Sequence, residues 1–231
     1  MPADAPEESG VWIIGVDEAG RGCLAGPVSA AAVLAPPGYD FSVFSGLADS
    51  KKLSSGQRGR LERAIRESGL IWGFGQSWPA EIDRVNILNA TFRAMSRAVQ
   101  SAALRLFRRF SGQIPSPADM LLYIDGPFRI PMEQWLGAGR AFWPEPPEQR
   151  PLVRGDALMP AISAASILAK TQRDRLMLAL HRRFPAYGLD RHKGYATAPH
   201  REKLAECGPS PLHRKSFSIS SARPAGQGTL I

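Results

Sequence analysis

The 231-residue sequence has only two cysteines, Cys23 and Cys207, far apart in the chain. That scarcity excludes a disulfide framework and a cysteine-rich zinc site, and it suits a reducing compartment. No apolar run approaches the roughly 20 residues needed to span a bilayer. The first ten residues are acidic without an apolar segment, so they do not read as a signal peptide, and a cytoplasmic protein is expected. A Gly-Lys-Ser/Thr phosphate loop is missing, which removes nucleotide-driven motors. A G-x-S-x-G elbow is missing too, so a serine hydrolase has poor support. There is no internal repeat.

What is present is ordinary in bulk and uneven in detail. Apolar residues make up 44% and charged residues 22%, as in soluble globular proteins, and the length is enough to bury a core. The formal charge is +8, from 29 basic and 21 acidic side chains. Residues 1–149 are net −1, residues 150–215 net +8, and residues 216–231 add Arg223. The basic stretch also holds all four histidines: His181, His192, His200 and His213. A localised basic region suits a polyanion partner, although a solvated basic face has the same composition.

Hydrophobic patterning predicts strands over 11–16, 28–34 and 120–124 and extended chain over 70–75. Helices are expected over about 57–67, capped by Ser54 or Ser55, then over 88–110, 160–183 and 198–206. A proline-rich loop around 144–151 separates the third strand from the second long helix. Residues 1–10 and 218–231 read as tails around one unit, 11–217. Strands first, then helix–strand–helix, argue for a mixed sheet covered by helices.

Four acidic residues stand out by position. Asp17 and Glu18 close the first strand, Asp125 closes the strand 120–124, and Asp156 precedes the second long helix. Strand ends and helix entries converge at one edge of open α/β sheets. Clustered carboxylates raise one another's pKa unless a cation lies between them. Oxygen donors without Cys or His select Mg²⁺ or Mn²⁺. Each residue also has a plain structural reading. Asp125-Gly126 is a turn dipeptide, Asp156 fits a helix cap, and Asp17 and Glu18 alternate to opposite faces unless the backbone turns.

Taken in order, several segments resemble bacterial ribonuclease HII, the type 2 ribonuclease H. They are 15–22 with Ala25-Gly26-Pro27, 49–54, 123–126, 155–156, 162–170, Arg173-Asp174, 187–197 and 211–217. The resemblance implies a ribonuclease H-like fold: a mixed five-stranded sheet flanked by helices, with a C-terminal helical part. It implies that Asp17, Glu18, Asp125 and Asp156 hold two divalent ions, Mg²⁺ or Mn²⁺, with Asp156 preferred over Asp174 as the fourth ligand. The implied activity is hydrolysis of RNA in RNA–DNA hybrids and incision 5′ of ribonucleotides embedded in duplex DNA, leaving 5′-phosphate and 3′-hydroxyl ends. Gly20, Arg21 and Gly22 would read the 2′-hydroxyl through backbone groups, and Tyr195 would pack on the neighbouring deoxyribose. Lys51, Lys170 and Lys193 are candidate phosphate contacts. The terminal Gln227-Gly-Thr-Leu-Ile231 resembles a sliding-clamp-binding peptide, and a monomer is expected. The competing expectations are a silent nucleic-acid binder and a ribonuclease H-like nuclease acting on plain DNA or on DNA junctions.

Overall fold

The computed structural model describes residues 10–47, 53–112, 115–139 and 142–217. The strands are β1 (Trp12–Ala19), β2 (Val28–Ala35), β3 (Ile71–Ser77), β4 (Met120–Asp125) and β5 (Glu148–Leu152). They form one sheet in the order β3-β2-β1-β4-β5. β1 is antiparallel to β2 and parallel to β4; β2–β3 is antiparallel and β4–β5 parallel. The helices are α1 (Ser55–Glu67), α2 (Pro79–Val85), α3 (Ile87–Arg109), α4 (Met132–Leu136), α5 (Gly155–Leu158), α6 (Pro160–Arg183), α7 (Leu189–His192) and α8 (Ala198–Cys207).

Both sheet faces are covered, so β2 is buried along its whole length. On one face Ile14, Val16, Ala30, Ala32, Leu122 and Ile124 pack against α3, whose apolar residues recur along one side. On the other face Ala31, Val33 and Ala35 meet Ala164, Ala165 and Leu168 of α6 and Ile65 of α1. Gly15 makes the second arrangement possible. A Cβ there would lie 2.2 Å from the carbonyl carbon of Ala161, so α6 passes directly over β1 only because that residue has no side chain.

Three local outcomes differ from the sequence expectation. β1 runs to Ala19 rather than ending at 16, because its ladder with β2 extends to Ala19↔Ser29. The proline-rich stretch contains β5, in which Pro151 pairs opposite Ile124 on an edge strand, where its missing N–H costs least. Residues 79–85 form α2, with Pro79 in its first turn. Elsewhere Ser54 caps α1 in a reciprocal box with Gln57, and α6 spans the expected 160–183. A satellite core of Leu24, Met177, Tyr187, Leu189, Leu204 and Leu212 joins the C-terminal helices to the loop after β1.

Candidate active site

The parallel ladder between β1 and β4 ends at Val16↔Ile124. The next residue on each strand is an aspartate, Asp17 on β1 and Asp125 on β4. Strand alternation puts both on the α6 face, because Gly15 meets Ala161 there and Tyr123 packs with Ile162. Asp17 is only 5% exposed. Burial first, then the charges of Glu18 and Asp125, push its carboxyl well above the ordinary range, against a partly compensating hydrogen bond from Ser166. Glu18 is raised chiefly by burial, with Arg21 pulling down and Asp125 pushing up. The Arg21 guanidinium lies 3.3 Å from Glu18 Oε1. Asp17 and Glu18 alternate along β1, yet both feel the Asp125 charge just past the last β1–β4 pair.

Asp156 enters from α5. Its backbone N–H donates to Asp125 Oδ1 at 3.3 Å, and the Ser163 hydroxyl donates to its carbonyl. Arg154, two residues before Asp156 at the start of α5, holds a left-handed φ of 60°, a strained conformation for a side chain of that size. Asp174 lies on α6, 3.7 Å from the Lys170 ammonium.

α6 acts as the ruler of the site. Ala161 and Ile162 lie over Gly15, Ser166 reaches Asp17, and Arg173 reaches Gly20. Eleven residues of helix rise about 17 Å, and the five strand steps from Gly15 to Gly20 advance about 17 Å. The two elements therefore stay in step along the edge.

The turn after β1 is held by two buried arginines, Arg173 and Arg214, 1% and 2% exposed. Arg173 donates to the carbonyls of Ala25, Pro27 and Lys193. Arg214 donates to those of Gly20, Arg21 and Gly26, and burial lowers its pKa to about 10. A trans peptide opposes its N–H to its C=O. With the Gly20 and Arg21 carbonyls turned inward, the amides of Arg21 and Gly22 face the other way. Gly20 has φ +90°, and a Cβ there would lie 2.0 Å from Arg173 Nε. Sequence reasoning assigned these arginines no role. The available signal was Arg173 falling on the buried stripe Ile162, Ala165, Ala169, Met177 of α6.

Tyr195 borders the same turn. Its backbone bridges Cys23, and its ring, 43% exposed, lies 5.9 Å from the Arg173 guanidinium. Of the candidate lysines, Lys170 is part-exposed beside Asp174, whereas the Lys193 ammonium folds back onto the Asp190 carbonyl. Lys51, and 227–231 at the terminus, lie outside the described residues.

Among the described residues, no group of three or more His, Cys, Asp or Glu side chains is gathered closely enough to hold a metal ion as it stands. The donor chemistry nonetheless fits a hard divalent cation. The groups are carboxylates only, and burial with neighbouring like charge raises the Asp17 and Glu18 carboxyls, a cost that a bound cation would offset.

Comparison with known proteins gives these features a class. Ribonuclease H2 from Pyrococcus horikoshii superposes with a TM-score of 0.62 at 24% identity, over 89% of this chain and 93% of that one. The ribonuclease HII of Archaeoglobus fulgidus, solved in complex with PCNA, gives 0.59 at 25% identity over 95% and 98%. The five-stranded mixed sheet flanked by helices, matched over most of the chain, puts it in the ribonuclease H-like fold class. The family profile described as Ribonuclease HII matches residues 14–108 and 151–220, leaving out the stretch that contains Asp125. Curated ribonuclease HII sequences from Nitratidesulfovibrio vulgaris and Sphingopyxis alaskensis are 47% and 48% identical, over 94% and 91% of this chain and 90% and 94% of theirs. The chain belongs to the ribonuclease HII family.

Proposed function

We propose that residues 11–217 form one catalytic unit that cleaves the RNA strand of RNA–DNA hybrids and incises 5′ of ribonucleotides embedded in duplex DNA, with Asp17, Glu18, Asp125 and Asp156 as its catalytic carboxylates. The observation that carries this reading is the placement of Asp17 beside Asp125 one step past the last β1–β4 rung, next to the arginine-held turn at Gly20. The four carboxylates would hold two divalent ions, Mg²⁺ or Mn²⁺. Bound there, such ions lower the pKa of an attacking water and stabilise the leaving 3′ oxygen. A Bst ribonuclease HIII with this fold, 19% identical, was solved in complex with Mn²⁺.

The chain's own groups supply position and selectivity. The outward amides of Arg21 and Gly22 read the 2′-hydroxyl, the group that separates RNA from DNA. A side chain at Gly20 would break the turn that aims them. The exposed face of Tyr195 packs on the deoxyribose beyond the ribonucleotide. Lys170 stands at the rim to meet phosphate, and Lys193 must leave Asp190 to do so. Asp156 supports the fourth carboxylate role better than Asp174, because it is bonded to Asp125 while Asp174 lies beside Lys170.

We place this activity in the cytoplasm, in keeping with free Cys23 and Cys207. No helix among the described residues is long and apolar enough to cross a membrane. The 227–231 peptide is proposed as a clamp contact, by analogy with the Archaeoglobus relative solved with PCNA. The test is a duplex carrying one ribonucleotide against its all-DNA twin, each with Mg²⁺. Incision of the first alone is expected, and equal cutting of both would refute the assignment.

A further inference from the structure

His192, His200 and His213 meet beneath the Tyr195 loop, far along the chain from the carboxylates and unused by the proposed chemistry. The His192 and His200 rings stack with centroids 4.2 Å apart, and His200 Nε2 lies 3.1 Å from His213 Nε2. The partners fix every proton. The Ser210 backbone N–H donates to His213 Nδ1 at 3.0 Å and the Ser210 hydroxyl lies 2.9 Å from the same nitrogen, an arrangement met by a bare Nδ1 accepting from both and a hydrogen on Nε2. His200 Nδ1 lies 2.8 Å from the Tyr195 carbonyl, which can only accept, so Nδ1 is the protonated nitrogen and Nε2 the acceptor. His213 Nε2–H therefore donates to His200 Nε2. His192 follows the same logic: Gly194 N–H donates to its Nδ1, and its Nε2–H donates to the Tyr187 carbonyl.

We propose that His213 and His200 are positioning residues, a neutral relay that runs from Ser210 to the Tyr195 carbonyl and sets where the Tyr195 ring stands. The inference rests on the reading of Tyr195 given above. The chain is complete when both imidazoles are neutral; a second proton on His200 would place its Nε2–H face to face with that of His213. The surroundings favour neutrality. The groups around the cluster are His181 at the end of α6, Asp190 on α7, Lys193, and Glu202 and Lys203 of α8 beside His192. The Tyr187 ring covers His213 at 4.8 Å. Burial and the neighbouring imidazoles push His213 down to about 4 and lower His200 and His192. The relay matters at the site because Gly194, next to Tyr195, accepts from the Leu24 and Ala25 amides in the turn that Arg173 and Arg214 hold.

The test is the ratio of cleavage efficiency on a one-ribonucleotide duplex to that on a long hybrid, measured for the wild type, Tyr195→Ala, His200→Ala, their double variant and His200→Asn. A relay predicts that His200→Ala lowers the ratio about tenfold, which corresponds to about 1.4 kcal/mol. It also predicts no further fall in the double variant, and rescue by His200→Asn, whose amide can donate to the same carbonyl. If Tyr195→Ala leaves the ratio unchanged, the reading of Tyr195 itself fails. If it lowers the ratio while His200→Ala does not, the relay alone fails. Should His200→Ala not fold, ¹⁵N spectra of the full wild-type chain decide: neutral Nδ1–H His200 with neutral Nε2–H His213 between pH 8 and 6 supports the relay. The opposite tautomers, or an imidazolium at pH 7, overturn it.

Discussion

Asp17 and Asp125 stand side by side on neighbouring parallel strands, each one residue past the final rung Val16↔Ile124. Backbone pairing thus brings two like charges together before any ligand arrives. The raised pKa of Asp17 has a thermodynamic sign. A buried carboxyl that holds its proton in the fold but loses it in the unfolded chain subtracts stability as pH rises from the ordinary carboxyl range through its raised folded value. In metal-free buffer, Asp17→Asn should therefore melt higher than the wild type at pH 8, with the difference shrinking toward pH 5. Thermal melts over that range check it; a variant that melts lower at pH 8 contradicts it. The same substitution should cut turnover by at least about 100-fold, the scale on which loss of one preorganised electrostatic group is felt.

Divalent ions should reverse that cost. At a hundredfold excess over its dissociation constant, a ligand binding only the folded state adds about 2.7 kcal/mol. For a chain of this length that is a rise of about 5–10 °C in Tm. Mg²⁺ or Mn²⁺ should produce such a shift in the wild type, and a much smaller one in Asp17→Asn or Asp125→Asn. Equal shifts in all three, read by scanning calorimetry, would place the ions elsewhere.

Gly20→Ala puts a Cβ where Arg173 Nε now lies, in a backbone region that L-residues avoid. The turn must shift, and the amides of Arg21 and Gly22 with it. Cleavage at a single ribonucleotide should fall at least about tenfold, the effect of 1.4 kcal/mol, while the far-ultraviolet circular dichroism stays native. Unchanged selectivity for ribonucleotide over deoxyribonucleotide would remove the turn from recognition.

Arg214→Lys keeps a charge but loses the fork that satisfies three carbonyls at once. Each buried carbonyl left without a donor costs about 1–3 kcal/mol. Denaturant unfolding should show a loss of that order, together with weaker ribonucleotide discrimination. A variant equal to the wild type in both measurements would contradict the role given to this side chain.

Much of this was legible in the residues, and the remainder was not for definable reasons. The apolar period of α3, a serine cap at 54 or 55 and Pro160 as a first-turn residue of α6 are local signals, and the expected helices form there. β5 was hidden because Pro151 reads as a breaker, and only its place at the sheet edge makes it tolerable. Strand alternation alone lets Asp17 and Glu18 share one site only if the backbone turns. Both feel the Asp125 charge where the β1–β2 ladder continues and the β1–β4 ladder stops, a difference between two ladders that no single strand records. The histidine cluster and the Arg173–Arg214 pair join residues some 150 or more positions from their partners in the turn after β1, or scattered across 187–213, so spacing along the chain could not reveal them.

In the proposed function these carboxylates, with bound divalent ions, direct water rather than the 2′-hydroxyl at the phosphate. End-group analysis of the nick in a one-ribonucleotide duplex tests it most directly. With Mg²⁺, the wild type should leave a 3′-hydroxyl upstream and a 5′-phosphate on the ribonucleotide, and EDTA or Asp125→Asn should leave the duplex intact. A 2′,3′-cyclic phosphate, or a nick that survives EDTA, would contradict it.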